Sequence, residues 1–212
     1  MSEINSSISS DSISSHRTFP EASIIHLCRE YNGYFNIEKA LIRQPRLDGS
    51  GFREVTRYVF ERGDCAGLLL HDPKKRKVLL VRQYRFPPLL RKSSGWFLEI
   101  VAGSVNPEQN IKDAAIKEAC EETGLMITSL NELGIFFLSP GGSSERCFLY
   151  EATIDSTNVN GRICGEVGTS EDILVEIHSL GHALKMISSG LIKDAKTIIA
   201  LQYLALGMVN GW

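Results

Sequence analysis

The sequence has no apolar run approaching the roughly 18 residues that a membrane-spanning helix needs, so no span is expected. It has no excess of either charge. Against 23 Lys and Arg stand 25 Asp and Glu, and the net charge of -2 supplies no basic field for gripping a nucleic-acid backbone. The five cysteines, Cys28, Cys65, Cys120, Cys147 and Cys164, are odd in number and scattered, with no C-x-x-C pair. That pattern argues against a disulfide framework or a zinc site and for reduced, buried thiols in a cytoplasmic protein. No internal repeat is evident. Residues 1–19 lack the apolar core of a secretory signal and are expected to form a disordered, Ser-rich tail. Glu3 and Asp11, with no early arginine, also argue against a transit peptide. What is present is 212 residues, 43% of them hydrophobic, enough for one domain or one and a half with a real core.

Along the chain, three extended segments come first: 24–30, 34–46 and 52–61. Asp48-Gly49-Ser50-Gly51 is a strong hairpin signal between the last two. Residues 20–62 are expected to form a small antiparallel β domain, too thin to stand alone, which must lean on the rest of the chain or on a second copy. From residue 63 to 212, alternating or continuous apolar runs at 66–70, 78–84, 96–101, 135–139, 147–154 and 173–177 predict strands. A helix is expected over 110–123, and two amphipathic helices over 181–188 and 194–206, broken at Gly190. The fold class is therefore α+β with a mixed sheet.

The stretch from Gly103 to Leu125, GSVNPEQNIKDAAIKEACEETGL, carries the chemistry. On a helix, Glu118, Glu121 and Glu122 fall within an arc of roughly 100°, where like charges repel. They also gather at the C-terminal end, where the macrodipole favours cations. A solvated acidic face is the ordinary reading of such a helix, but a bound cation resolves both penalties. Mg²⁺, a hard ion usually held by one or two carboxylates and substrate phosphates, is the natural occupant. Ala115, Ile116, Ala119 and Cys120 form an adjoining apolar face suited to packing on a sheet. Gly103 is expected to turn the chain sharply out of the preceding strand, and Gly124 to stop the helix.

The spacing of this stretch resembles the Nudix hydrolase box, G-x5-E-x7-R-E-U-x-E-E-x-G-U. It matches at Gly103, Glu118, Glu121, Glu122, Gly124 and Leu125, with Ala119 in the aliphatic slot. Two positions depart: Gln109 replaces the first glutamate and Lys117 the arginine. The resemblance extends from about Gly33 to Leu206 through Gly33-Tyr34-Phe35, Phe60-Glu61-Arg62-Gly63, Arg82-Gln83-Tyr84-Arg85, Leu98-Glu99-Ile100-Val101-Ala102-Gly103, Ser139-Pro140-Gly141-Gly142-Ser143-Ser144-Glu145-Arg146 and Ser170-Glu171-Asp172-Ile173. These words are similar to the ADP-ribose pyrophosphatase branch, whose sister GDP-mannose pyrophosphatases share most of them.

The resemblance implies an α/β/α sandwich with the N-terminal β domain swapped in a homodimer. It also implies Mg-dependent hydrolysis of ADP-ribose to AMP and ribose 5-phosphate, with Mn²⁺ as a substitute ion. The alternatives are hydrolysis of GDP-mannose or another nucleoside-diphosphate sugar, and a sensor that binds nucleotide without cleaving it. Carried over onto this chain, the carbonyl of Ala102 and the side chains of Glu118, Glu122 and Glu171 hold metal, and Glu121 assists when substrate brings in a further ion. Arg85 sets a fixed charge on the phosphates. Tyr34 and Phe35 stack the adenine, though adjacent strand residues point to opposite faces, so both reach the base only if the strand ends or kinks near Gly33. Arg57, acting across the dimer, and Arg62 bind substrate; each has an ordinary alternative in a surface salt bridge. Ser104, Ser139, Gly141 and Glu145 complete the substrate contacts. The usual loop base is replaced by Thr169, which cannot take a proton. Glu166 on the same loop, Glu171, or water activated by the metal alone stand as its replacements, with Glu166 first.

Overall fold

A computed structural model describes residues 19–165, 168 and 171–210. The described residues group into two compact units divided after Val59. The first holds an antiparallel sheet of β1 (Ser23–Asn32), β2 (Asn36–Pro45) and β3 (Phe52–Glu61), in the order β1-β2-β3, with the last two residues of β3 falling in the second unit. Its β2–β3 connection is the turn that Asp48-Gly49-Ser50-Gly51 predicts. Asp48 Oδ1 accepts from the Ser50 amide at 2.9 Å, and Arg46 N–H closes on the Gly51 carbonyl at 2.8 Å. Of its apolar side chains only Ala40 is buried; Ile24, Leu27, Tyr31, Phe52 and Tyr58 are exposed.

The second unit consists of β4 (Cys65–Asp72), β5 (Lys77–Tyr84), α1 (Phe86–Leu89), β6 (Trp96–Glu99), β7 (Val101–Ser104), α2 (Ile111–Thr123), β8 (Asn131–Phe137), β9 (Arg146–Thr153), β10 (Ile163–Cys164), β11 (Ile173–Ser179), α3 (Leu180–Ser188) and α4 (Ala195–Asn210). The path of its sheet is β10-β11-β5-β4-β9-β8. β4 and β9 run parallel and the other pairs antiparallel, so the sheet is mixed as expected. The central strands read as continuous apolar runs because both faces are covered. Leu68, Leu70, Leu79, Val81 and Val101 pack toward Ala115 and Ala119 of α2. Their neighbours Leu69, Val78, Leu80 and Ile100 pack toward Ala183 of α3 and Ala200 and Leu201 of α4. Strand periodicity of two thus sorts one apolar sequence into two cores, giving α/β/α layers.

One expected element is two. The segment 96–101 does not form a single strand, because β4 and β5 pair only near their hairpin, at 70–72 with 77–79, and then splay. β6 pairs along β5, with Val81 opposite Glu99, while β7 pairs along β4, with Gly67 opposite Ala102. The chain changes partner at Ile100, whose amide leaves the ladder and donates to Thr197 Oγ1 at 2.8 Å. Thr197 is itself fixed by Asp194, whose Oδ2 accepts from the Thr197 amide at 2.9 Å and hydroxyl at 2.7 Å, an N-cap at the start of α4. The split puts Glu99 on one branch and Ala102 and Gly103 on the other.

Candidate functional site

The site is built on α2. Asn110 caps its start, with Oδ1 accepting from the amides of Lys112 at 2.9 Å and Asp113 at 3.3 Å. Gly124 ends it in the left-handed conformation, φ 69°, with its amide on the Cys120 carbonyl at 2.8 Å. Between these ends the buried residues Ala114, Ala115 and Ala119 press α2 on the sheet, which fixes how the glutamates are presented.

Gly103 does not turn the chain, contrary to the sequence expectation. It lies within β7, paired with Ala66, and its role is clearance. A Cβ there would fall 2.0 Å from Cδ of Glu118 and 2.1 Å from its Oε1. Only a residue without a side chain lets the Glu118 carboxyl lie against β7, beside Ala102. Glu122 is buried, 4% exposed, and its Oε2 has no hydrogen-bond partner. Burial pushes its carboxyl well above the usual range, and the charges of Glu118, Glu171 and Glu99 push the same way while Arg85 opposes them. Glu118 and Glu171 thus both lie near enough to repel charge on Glu122, and such repulsion is the physical mark of a place for a cation. Among the described residues, no three metal-binding side chains stand in a ready-made cage. Mg²⁺ does not require one, since it commonly uses one or two carboxylates and leaves its remaining positions to water and phosphate. The donor set is all oxygen and includes an orphaned buried carboxylate oxygen, so it fits that ion.

Glu121 turns to Lys117, at 2.9 Å one helical turn earlier, and its carbonyl accepts from the Gly165 amide at 3.2 Å. The loop that follows β10 is thereby tied to the end of α2. Gly165, φ +136°, also passes so close to Glu171 that a Cβ would meet the Glu171 carbonyl at 2.3 Å. Glu166 and Thr169, the residues on which the question of the base turns, lie outside the described residues.

A second cluster adjoins the 60–64 segment. Ser139, Gly141 and Gly142 form a tight turn in which the Ser139 carbonyl accepts from the amides of Gly142 at 3.1 Å and Ser143 at 2.9 Å. The turn is docked by the Phe60 amide on the Gly142 carbonyl at 2.8 Å and by Ser143 Oγ on the Phe60 carbonyl at 3.1 Å. Arg62 then bridges Ser104 Oγ at 3.2 Å and the buried Glu145 at 3.4 Å. Three residues expected to bind substrate, Arg62, Ser104 and Glu145, are thus brought together from three distant parts of the chain.

Tyr34, Phe35 and Arg57 belong to the first unit. Tyr34 and Phe35 occupy the bend between β1 and β2, where the strand ends. Their rings meet edge to face at 4.6 Å, and Tyr34 is 94% exposed. Arg57, on β3, is exposed, with one guanidinium nitrogen on the Thr56 carbonyl at 3.1 Å.

Arg85 follows β5 and donates through Nη2 at 2.7 Å and Nε at 3.1 Å to the same oxygen of Glu99. Burial alone would lower the Arg85 pKa, but Glu99 outweighs it and holds the guanidinium firmly charged. Glu99 received no role from the sequence. Its signal was an acid inside an otherwise apolar run, Trp96-Phe97-Leu98-Glu99-Ile100-Val101, where a buried charge demands a partner.

Residues 61–189 match the model of the NUDIX domain family. The ADP-ribose pyrophosphatase of Escherichia coli strain K12 is 34% identical over 200 residues, 92% of this chain and 95% of that protein. The GDP-mannose pyrophosphatase of Pectobacterium atrosepticum is 34% identical over 186 residues, 84% of this chain and 90% of that protein. A crystal structure of an ADP compounds hydrolase is similar in fold, with a TM-score of 0.67 at 15% identity, covering 92% of this chain and 98% of the other.

Proposed function

The chain belongs to the Nudix family, and on that premise we propose that it hydrolyses the pyrophosphate bond of ADP-ribose, releasing AMP and ribose 5-phosphate. The observation that carries this reading is the buried, unpartnered Glu122 carboxylate oxygen, with the carboxyl of Glu118 one helical turn earlier given room against β7 by Gly103. Glu118, Glu122 and Glu171, with the Ala102 carbonyl, would hold Mg²⁺. When bound, that ion neutralises pyrophosphate charge and lowers the pKa of the attacking water. Arg85 brings a planar fork suited to phosphate oxygens, and Arg62, Ser104 and Glu145 present donors and an acceptor to the sugar-phosphate portion. Ser139 and Gly141 offer further polar groups from the docked turn. Tyr34 and Phe35 are assigned to the base, and Arg57 to a substrate contact made across the dimer. The water adds to phosphorus as the bridging P–O bond breaks, and its proton passes to a loop carboxylate, which we assign to Glu166.

The exposed apolar residues of the β1–β3 sheet support a homodimer in which a second copy covers them. The five scattered cysteines, none of them in a disulfide, support a cytoplasmic location. No described helix is long and apolar enough to cross a membrane.

A second reading, hydrolysis of GDP-mannose, is favoured by the equal identity to a GDP-mannose pyrophosphatase. Chromatography of products after incubation of each sugar nucleotide with Mg²⁺ separates the two. AMP from ADP-ribose supports the first, and turnover of GDP-mannose alone replaces it. Binding of ADP-ribose with no cleavage of any nucleotide, in Mg²⁺ or Mn²⁺, would make the protein a sensor. A monomer of 23.5 kDa by light scattering would remove the dimer.

A further inference from the structure

We propose that Glu99 is a positioning residue: it holds the Arg85 guanidinium toward substrate phosphate and keeps it off the glutamates that bind metal. The inference rests on the hydrolase reading above. Glu99 closes β6 and is 4% exposed between the buried Leu98 and Ile100. A carboxylate in such surroundings persists only with close partners. It has two, both reaching Oε2: Arg85, through Nη2 at 2.7 Å and Nε at 3.1 Å, and Gln83, through Nε2 at 3.4 Å.

The donor count gives this pair its consequence. A guanidinium carries five N–H donors in one plane, and Glu99 takes two of them along the Nε/Nη2 side. Three remain, on Nη1 and the outer side of Nη2, and the rigid plane fixes where they point. Arg85 is also close enough to Glu122 for its charge to act on that carboxyl. The guanidinium is therefore bonded to one buried carboxylate, Glu99, and feels the charge of a second, Glu122, and only the second is assigned to metal. Without Glu99, Glu122 exerts the largest remaining attraction on the guanidinium, ahead of Asp194, and a charge-assisted pair is expected there. That pair would occupy the metal-binding carboxylate and withdraw the arginine from phosphate, two losses from one substitution.

The test is a double-substitution cycle on the full chain with Glu99→Gln, Arg85→Ala and the two together. Two quantities are read: kcat and KM for ADP-ribose with Mg²⁺, and the Kd for Mn²⁺ from electron paramagnetic resonance of the free ion. Glu99→Gln is expected to lower kcat and to raise the Mn²⁺ Kd, each by about 10–100-fold, the range for supporting partners of a metal site. In the Arg85→Ala background the same change should alter neither by more than about twofold, because the two residues act as one unit. Glu99→Asp, which keeps the charge that competes for Arg85, should restore the Mn²⁺ Kd toward wild type. Equal losses in both backgrounds, or wild-type behaviour of Glu99→Gln, would overturn the assignment. If Glu99→Gln does not fold, Glu99→Asp carries the cycle through kcat, with the same background dependence required. A wild-type chain that leaves ADP-ribose intact would refute the proposed activity, while the Mn²⁺ measurements would still decide the role of Glu99.

Discussion

Replacing Gly103 with alanine separates the metal site from the fold more cleanly than removing a glutamate does. The new methyl group would stand 2.0 Å from Glu118 Cδ, 2.1 Å from Oε1 and 2.5 Å from Cγ, all distances at which something must move. The atoms it meets are the outer part of a half-buried, flexible side chain, so Glu118 can rotate away without disturbing the backbone. β7 is extended at Gly103 and accepts alanine there, and its pairing with Ala66 uses only main-chain atoms. The expected cost to folding is therefore at or below the low end of the 1–3 kcal/mol typical of overpacking. The cost to the site is much larger, since Glu118 can no longer lie beside Ala102. A displaced ligand should raise the Mg²⁺ concentration for half-maximal ADP-ribose hydrolysis by at least the roughly 10–100-fold that loss of a mere supporting residue produces. Thermal unfolding in EDTA and an Mg²⁺ titration of turnover measure the two effects on one preparation. Adding Gly103→Ala to a Glu118→Ala chain should change the Mg²⁺ dependence no further. An Mg²⁺ requirement within twofold of wild type would refute the clearance argument, as would a loss of activity matched by loss of the fold.

Three other outcomes follow from the same geometry. In the metal-free protein the folded-state pKa of Glu122 is raised, so between the ordinary carboxyl value of 4.5 and that raised value the folded state binds more protons than the unfolded one. Stability without metal should thus fall as pH rises through this window, and the gain in Tm from added Mg²⁺ should grow with it; a Tm in EDTA that rises over the same range would contradict the assignment. Thr197→Val removes the acceptor for the Ile100 amide where β6 passes into β7, and should cost about 1–3 kcal/mol in chemical denaturation, the penalty for a buried donor left unmade. Glu166→Gln should lower kcat by about 10²–10⁴-fold if Glu166 is the base, and turnover near wild type would pass the role to Glu171 or to water activated by the metal alone.

The parts of this molecule that were legible in its sequence are those governed by local periodicity or by spacing along one helix. The Asp48–Gly51 turn, the alternating faces of β4 and β5, and the gathering of Glu118 and Glu122 on α2 each depend on residues a few positions apart. The route of the chain through Ile100 does not. Six apolar and acidic residues at 96–101 satisfy the pattern of one strand, and nothing within them records that β4 and β5 have parted or that Thr197 waits to receive an amide. That unrecorded step changes the meaning of two residues. Gly103, read locally, is a turn; set in β7 opposite Ala66, it is the gap through which Glu118 reaches the site. Glu99, read locally, is one acid in an apolar word; set at the end of β6, it faces Arg85 and holds two of its N–H groups. The glutamates of α2 thus supply the charge, but its placement comes from the divergence of two strands and from a threonine on the final helix. Substitutions at Thr197 should for that reason weaken the metal site as well as the fold, although Thr197 belongs to the opposite helical layer from the glutamates that hold the ion.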